Sequence, residues 1–385
     1  MATLQPVEIP SGPAAVSAVR VADDVLHGRI CALPVPAADP AQITLLTTTL
    51  RAGEPIDDAV AVVLSTSGTT GPPKGALLPV SALTASAEAT HDRLGGPGRW
   101  LLALPAYHVA GFQVLVRSAL TGTDPVAVPP GFAPADLVVA VAAMGSGRRY
   151  ASLVAAQLDK ALRDRSATDA LAALDAVLIG GGPMPAGLSE KASAAGITVV
   201  RTYGMSETAG GCVYDGRPLT GVEVKVSDAG LVSLGGPTVA LGYRNPVTPD
   251  PFADPGWFQT NDVGVLDDSG TLRILGRADD GISTGGLTVL PELVEAAVQT
   301  HPGVAECAVF GVPDQRLGQR VVVAVVPERG ATVTLEALRE HVATRLAPTA
   351  APRELHVVDE LPRRGIGKVD RRALASRFED AAPSA

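Results

Sequence analysis

Residues 59–64 (AVAVVL) form an uninterrupted apolar run that leads directly into Ser65-Thr66-Ser67-Gly68-Thr69-Thr70-Gly71-Pro72-Pro73-Lys74-Gly75. Such a run, with no polar alternation, fits a strand buried on both faces, and a strand of that kind needs cover above and below its sheet. The pattern repeats. Residues 175–179 (DAVLI) lead into Gly180-Gly181-Gly182-Pro183, and residues 197–203 (ITVVRTY) lead into Gly204. Short apolar strands, glycine turns and alanine-rich helical stretches therefore predict an α/β fold with layered sheets and helices over the first two-thirds of the chain. The loop after the first strand carries five hydroxyl residues, three glycines and one lysine. Backbone N–H groups, hydroxyl donors and a mobile cation together suit a polyphosphate. A Walker A loop would place Ser or Thr after the lysine, and Gly75 stands there instead, so this is a phosphate loop of another kind.

Composition narrows the function classes. At ~100–200 residues per domain, 385 residues suggest two domains. Hydrophobic residues at 46% and charged residues at 18% exclude wholesale disorder. The net charge of −9 argues against a nucleic-acid binder, and 3% aromatics leave few surfaces on which bases could stack. Mean hydropathy is +0.24, but the apolar runs at 137–144 and 321–326 fall well below the ~18–20 residues of a spanning helix. A soluble protein without a membrane span is expected. The N-terminus shows no basic and apolar leader, so no secretory signal is expected. Cys31, Cys212 and Cys307 are odd in number and far apart, which suits a reducing cytoplasm better than a disulfide framework. The six histidines lack metal-site spacing.

The pattern changes at Gly276-Arg277-Ala278-Asp279-Asp280. We expect a nucleotide and acid domain over 1–277 and a small, mobile α+β domain over 278–385. In the second part Pro291 opens a helix whose apolar face holds Leu290, Val294, Ala297 and Val298, and His301-Pro302 ends it. Strands are expected at 304–310, 320–326 and 354–358, and a second helix should align Leu335, Leu338, Val342 and Leu346. A basic loop follows, Arg363-Arg364-Gly365-Ile366-Gly367-Lys368. A proline-rich stretch, 245–256 (NPVTPDPFADPG), reads as a surface loop.

Ordered along the chain, these blocks resemble the acyl-adenylate-forming (AMP-binding) superfamily, which includes acyl-CoA synthetases, peptide-synthetase adenylation domains and luciferases. Residues 65–75 resemble its signature loop, and Leu104-Pro105-Ala106-Tyr107-His108-Val109-Ala110-Gly111 its aromatic/His block. Gly180–Gly182 with Pro183 resembles the adenine-side turn. Tyr203-Gly204-Met205-Ser206-Glu207-Thr208 and Thr260-Asn261-Asp262-Val263-Gly264 resemble two further blocks. Gly276 to Asp280 matches the hinge, and Gly367-Lys368 the terminal Gly-Lys.

The resemblance implies a shortened N-terminal adenylate-forming domain and a two-step reaction that takes ATP, Mg2+ and CoA. A carboxylate attacks the α-phosphate of ATP, and a thiol then attacks the acyl-adenylate. On this basis Ser65, Thr66, Ser67, Gly68, Thr69, Thr70 and Lys74 are expected at the β- and γ-phosphates, and Glu207 at Mg2+. Gly180, Gly181, Gly182, Tyr203, Gly204 and Ser206 are expected about the nucleotide. Asp262 is expected at the ribose hydroxyls with Arg277 beside it. Lys368 is expected to bridge the carboxylate and the α-phosphate. Asp279 is the expected hinge, and Gly285 and Gly286 are expected to let a pantetheine arm pass. His108 and Gly204 would border the acid. Because carboxylates are already ionised at pH 7, His108 is expected to position the acid rather than act as a base.

Within the superfamily, residues 150–158 (YASLVAAQL), 281–291 and 361–371 are most similar to the o-succinylbenzoate–CoA ligases of menaquinone biosynthesis. That acid carries a second carboxylate. Arg201 could meet it, or could equally be a solvent-facing arginine at a strand end. Asn261 replaces the usual glycine, and Leu287-Thr288 replaces a more polar pair. The early phosphate loop predicts a reduced N-terminal region, and a homodimer that covers the exposed surface. Other aryl- or acyl-CoA ligases, a stand-alone enzyme that loads a carrier protein, and a non-catalytic nucleotide-binding homologue are the competing readings.

Overall fold

The computed structural model describes residues 1–66, 72–185, 187–364 and 368–379. Strands β1 (Ala2–Ile9), β2 (Cys31–Pro36), β3 (Pro55–Ile56), β4 (Val62–Leu64) and β5 (Ala76–Leu78) form one sheet in the order β3-β1-β2-β4-β5. Helices α1 (Val19–Leu26) and α2 (Pro40–Thr49) lie between its strands in the chain. Along β2 the side chains alternate between two cores. Cys31, Leu33 and Val35 pack with Leu46 of α2 and Leu50 just after it, while Ala32 joins Ala22 and Val25 of α1. The residues ahead of the phosphate loop thus close a core of their own. The strand expected at 59–64 begins at Val62, because Val60 and Ala61, though buried, lie before the ladder.

A second sheet holds β6 (Arg99–Leu102), β7 (Val126–Ala127), β8 (Arg149–Val154), β9 (Ala176–Gly180), β10 (Val199–Met205), β11 (Gly210–Tyr214) and β12 (Arg217–Pro218). Its order is β12-β11-β10-β9-β8-β6-β7, parallel from β10 to β7. Both faces are covered, as the apolar runs required. Trp100, Leu102, Tyr150, Ala176 and Leu178 face α3 (Val80–Leu94) and α4 (Val109–Thr121), in the core they share with β4 and β5. Leu101, Ala151, Leu153, Val177 and Ile179 face α5 (Pro134–Ala143), α6 (Ala155–Leu162), α7 (Arg165–Ala172) and α8 (Leu188–Ala194). Helices α1, α3 and α4 are therefore sandwiched between two sheets. The antiparallel strands β13 (Glu223–Val226), β14 (Leu231–Gly235), β15 (Trp257–Leu266) and β16 (Leu272–Arg277) form a third sheet that packs Val232, Leu234 and Leu272 on the same core.

Beyond Arg277 a separate set of elements follows. Strands β17 (Ile282–Thr284), β18 (Leu287–Val289), β19 (Val304–Asp314), β20 (Gly318–Pro327) and β21 (Glu354–Val357) form a sheet. Helices α9 (Pro291–Val298) and α10 (Leu335–Ala343) cover one face through Val294, Val298, Leu338 and Val342. Leu374 of α11 (Arg371–Phe378) covers the other. Leu346 falls just after α10 and packs against the same core from that position. The expected basic loop is framed by two short paired strands, β22 (Arg363–Arg364) and β23 (Lys368–Val369). No helix among the described residues is long and apolar enough to cross a membrane.

The sandwiched helices hold an unusual charge. Arg117 of α4 is 3% exposed, donates to Thr90 Oγ1 at 3.4 Å and stacks 4.6 Å from the Trp100 ring. His91 of α3 is buried and its Nε2 has no partner among the described residues. Burial, helped by the Arg117 charge, pushes His91 down to about 4 from its ordinary 6.5. The unfolded chain therefore takes up a proton that the fold resists, and stability rises with pH between about 4 and 6.5. From pH 7 to pH 5 this group should cost about 2 kcal/mol of unfolding free energy. Urea titrations of wild type and His91→Gln at both pH values should show the drop shrink by that amount in the variant. An equal drop in both proteins would contradict the assignment.

Candidate active site

Three of the sequence blocks lie at the carboxyl ends of the parallel strands β6, β9 and β10, where ligands bind in sheets of this type. Strand β6 ends at Leu102 and leads through Leu104-Pro105 to His108, the N-cap of α4. Gln157 ties this turn to the end of β8, accepting from Val154 N (3.0 Å) and donating to Ala103 O (2.9 Å). A side chain at Gly111 would put its Cβ 2.4 Å from Pro105 O, so glycine is what lets α4 start here. Strand β9 ends at Gly180, where a Cβ would come within 2.5 Å of Thr202 Oγ1. Gly181 has φ 84°, and no described residue lies within 4 Å of a Cβ built at Gly182. Strand β10 carries Tyr203 and Gly204 at its end and passes into a 3-10 turn, Ser206–Thr208. At Gly204 a Cβ would sit 2.1 Å from Gly210 O.

Two buried carboxylates organise the site. Glu207 and Asp262 are each 7% exposed. Tyr243 donates its hydroxyl to Glu207 Oε1 at 2.6 Å, and Tyr203 donates to Asp262 Oδ2 at 2.6 Å. Asp262 stands opposite Arg277 in the β15/β16 ladder, and Arg277 Nη1 donates to its other oxygen at 3.3 Å. Arg277 forks onto Asp279 at 2.9 and 2.8 Å. Burial pushes the Glu207 carboxyl up, opposed by the Tyr243 hydrogen bond and by the charges of Lys74 and Arg277. Burial, with the Asp262 charge, pushes the Tyr203 hydroxyl well up, so it stays a donor.

The flanks of the phosphate loop are pinned to this cluster. Ser206 Oγ donates to Ser65 O at 3.3 Å on one side. On the other, Asn245 N donates to Lys74 O and Arg244 N to Gly75 O, while the Asn245 amide reaches Pro73 O. Lys74 Nζ lies 5.3 Å from the Tyr243 ring centroid. Thr66 Oγ1 is buried without a partner among the described residues. Ser67, Gly68, Thr69 and Thr70 lie outside the described residues, as does the side chain of Lys368, whose backbone is in β23.

Other candidates stand apart. His108 packs its ring 4.6 Å from Tyr107, and burial lowers its pKa from the ordinary value. The Arg201 side chain is 61% exposed and lies 3.7 Å from Asp215, which the β10/β11 hairpin brings beside it. Gly285 and Gly286 have φ 58° and 81°, as the turn between β17 and β18 needs. Tyr243, Arg244 and Asn245 were not legible as site residues. Asn245, expected in a surface loop, is half-buried and holds Thr49 O and Pro73 O. The available signal was aromatic: Tyr243 and Phe258 both pack on Phe252 in a chain with few rings.

The donors suit a Mg2+–nucleotide. No partner among the described residues takes Glu207 Oε2, and one free carboxylate oxygen is what Mg2+ needs when phosphates and water complete its shell. The description "AMP-binding enzyme" fits residues 14–244, and "AMP-binding enzyme C-terminal domain" fits residues 293–368. A protein named probable 2-succinylbenzoate–CoA ligase from Mycobacterium tuberculosis (strain CDC 1551 / Oshkosh) is 61% identical over 380 residues, 97% of this chain and 98% of that one. The 2-succinylbenzoate–CoA ligase of Geobacillus kaustophilus (strain HTA426) is 34% identical over 341 residues, 82% of this chain and 69% of its own. Among solved structures, o-succinylbenzoate CoA synthetase from Bacillus subtilis with its acyl-adenylate intermediate OSB-AMP superposes with a TM-score of 0.77. The two are 26% identical, over 100% of this chain and 89% of that one. The same enzyme with ATP and a magnesium ion gives a TM-score of 0.74 at 25% identity, over 97% of this chain and 89% of that one.

Tyr243→Phe keeps the ring beside Lys74 and removes the donor from a buried carboxylate. Unfolding free energy at pH 8 should fall by about 1.5–3 kcal/mol, the range for a hydrogen bond to a charged group. An unchanged urea midpoint would show that Glu207 does not depend on Tyr243.

Proposed function

The chain belongs to the AMP-binding enzyme family, and we propose that it is an ATP-dependent acid–CoA ligase whose acid is o-succinylbenzoate. The observation that carries the chemistry is the pair of buried carboxylates, Glu207 and Asp262, set with Lys74 and Arg277 beside a glycine-lined strand edge. The choice of acid is supported by two relatives of that name at 61% and 34% identity.

In the first half-reaction a carboxylate oxygen of the acid attacks the α-phosphorus of ATP, the bond to pyrophosphate breaks, and an acyl-adenylate forms. Both reactants are anionic, so the protein contributes positioning and charge neutralisation. Lys74 and the 65–75 loop hold the β- and γ-phosphates. Asp262 accepts from the ribose hydroxyls and is oriented for this by Tyr203 and Arg277. Glu207 offers its free oxygen to Mg2+, which supplies charge neutralisation at the phosphates. Lys368 stabilises charge as it shifts between the acid and the α-phosphate. In the second half-reaction the CoA sulfur attacks the acyl carbon, the C–O bond to AMP breaks, and the thiol proton passes to solvent. The 278–385 segment turns about Asp279 between the steps, which brings Gly285-Gly286 to the thiol path in place of Lys368.

Two measurements test this. Pyrophosphate release with Mg-ATP should be strong with o-succinylbenzoate and weak with benzoates, fatty acids and amino acids, and free CoA should complete the thioester. Strong release with a fatty acid alone would overturn the choice of acid. Lys368→Ala should slow adenylation by roughly 10²–10³-fold, yet still convert supplied acyl-adenylate and CoA to thioester. Equal loss of both steps would contradict the division of labour.

A further inference from the structure

The turn that carries Glu207 ends in a residue poorly suited to it. Ala209 follows the 3-10 turn with φ 51° and ψ 33°, and it is fully buried. That left-handed conformation suits glycine, or asparagine and aspartate with their local hydrogen bonds, and alanine has neither advantage. The peptide groups on both sides are pinned. Ala209 N donates to Ser206 O at 3.2 Å. Its carbonyl accepts from two buried side chains, Ser86 Oγ of α3 and Gln113 Nε2 of α4, each at 2.9 Å.

Gln113 is 1% exposed, and its Nε2 also reaches Leu83 O at 3.3 Å, while its Oε1 is buried without a partner among the described residues. An orphaned acceptor in the interior is costly, and a leucine would fill the same volume without it. The amide therefore makes sense for its donor. Nothing in the sequence links these groups, because Ser86 and Gln113 lie 123 and 96 residues from Ala209. Helix α4 also begins at His108, so one rigid element spans the acid-side block and the support of the Glu207 turn.

We propose that Gln113 and Ser86 are positioning residues for adenylation: together they hold Ala209 in its left-handed turn and so aim the Glu207 carboxylate at the metal-bound nucleotide. This rests on the proposed assignment of Glu207 to Mg2+. Both side chains are buried and bond the Ala209 carbonyl, so they act through the turn that carries Glu207. Glycine at 209 adopts the same turn unaided and makes the clamp dispensable.

Calorimetric ATP titrations, each with Mg2+ and with EDTA, test this on wild type, Gln113→Leu, Ser86→Ala and the double variant Gln113→Leu/Ala209→Gly. Wild type should gain affinity with Mg2+. Each single variant should lose roughly three- to tenfold of that gain, as one net hydrogen bond allows, with EDTA affinity unchanged. The double variant should recover most of it. A full Mg2+ gain in both single variants, an equal loss in EDTA, or no recovery in the double variant would overturn the clamp. Should Gln113→Leu fail to fold by circular dichroism, Ser86→Ala with and without Ala209→Gly carries the same comparison. Wild type that gains nothing from Mg2+ would instead overturn the assignment of Glu207, and the clamp with it.

Discussion

Two carboxylates are kept out of water where separate sheets meet, each held by a tyrosine hydroxyl at 2.6 Å. A buried carboxylate is costly unless hydrogen bonds and neighbouring cations compensate it. Tyrosine is an economical donor here, because its ring supplies apolar contact while its hydroxyl, raised by burial and by the nearby anion, remains protonated. Each tyrosine engages one oxygen. The second Asp262 oxygen meets Arg277, and the second Glu207 oxygen has no protein partner among the described residues. The difference matches the proposed division of roles, with ribose at the first carboxylate and the metal ion at the second.

These contacts also join the layers. Tyr203 ends a strand of the second sheet, and Asp262 belongs to the third. Glu207 follows the second sheet, while Tyr243 lies between two strands of the third and forms a bridge to Ala76 of the first. The phosphate loop leaves and rejoins that first sheet with its flanks bonded to Ser206, Arg244 and Asn245. Three sheets therefore meet where the charges are, and the glycines at 111 and 204 permit the close backbone approach. Their substitution would push backbone apart at the junction rather than at a tolerant surface.

Much of this was legible in the chain. The apolar runs at 175–179 and 197–203 declared a sheet buried on both faces, and the ordered blocks named Glu207, Asp262 and Arg277 before any geometry was known. What escaped was set by distance along the chain. Tyr243 reaches Glu207 across 36 residues and Gln113 reaches Ala209 across 96, with no periodicity to connect them. The pairing of Arg201 was hidden for a related reason. Its neighbour Asp215 comes beside it only when the β10/β11 hairpin closes. Strand β1 escaped because its burial is irregular, with only Leu4 and Ile9 fully covered.

The central claim is that an acid attacks the α-phosphorus of ATP at this junction and leaves as a thioester. Turnover with o-succinylbenzoate labelled with 18O in its carboxylates, followed by mass spectrometry of the products, tests it most directly. Attack by the carboxylate places one labelled oxygen between acyl carbon and phosphorus, and thiol attack at carbon leaves that oxygen on AMP. The account predicts AMP carrying one 18O and unlabelled pyrophosphate. Unlabelled AMP, or label in pyrophosphate or phosphate, would contradict it.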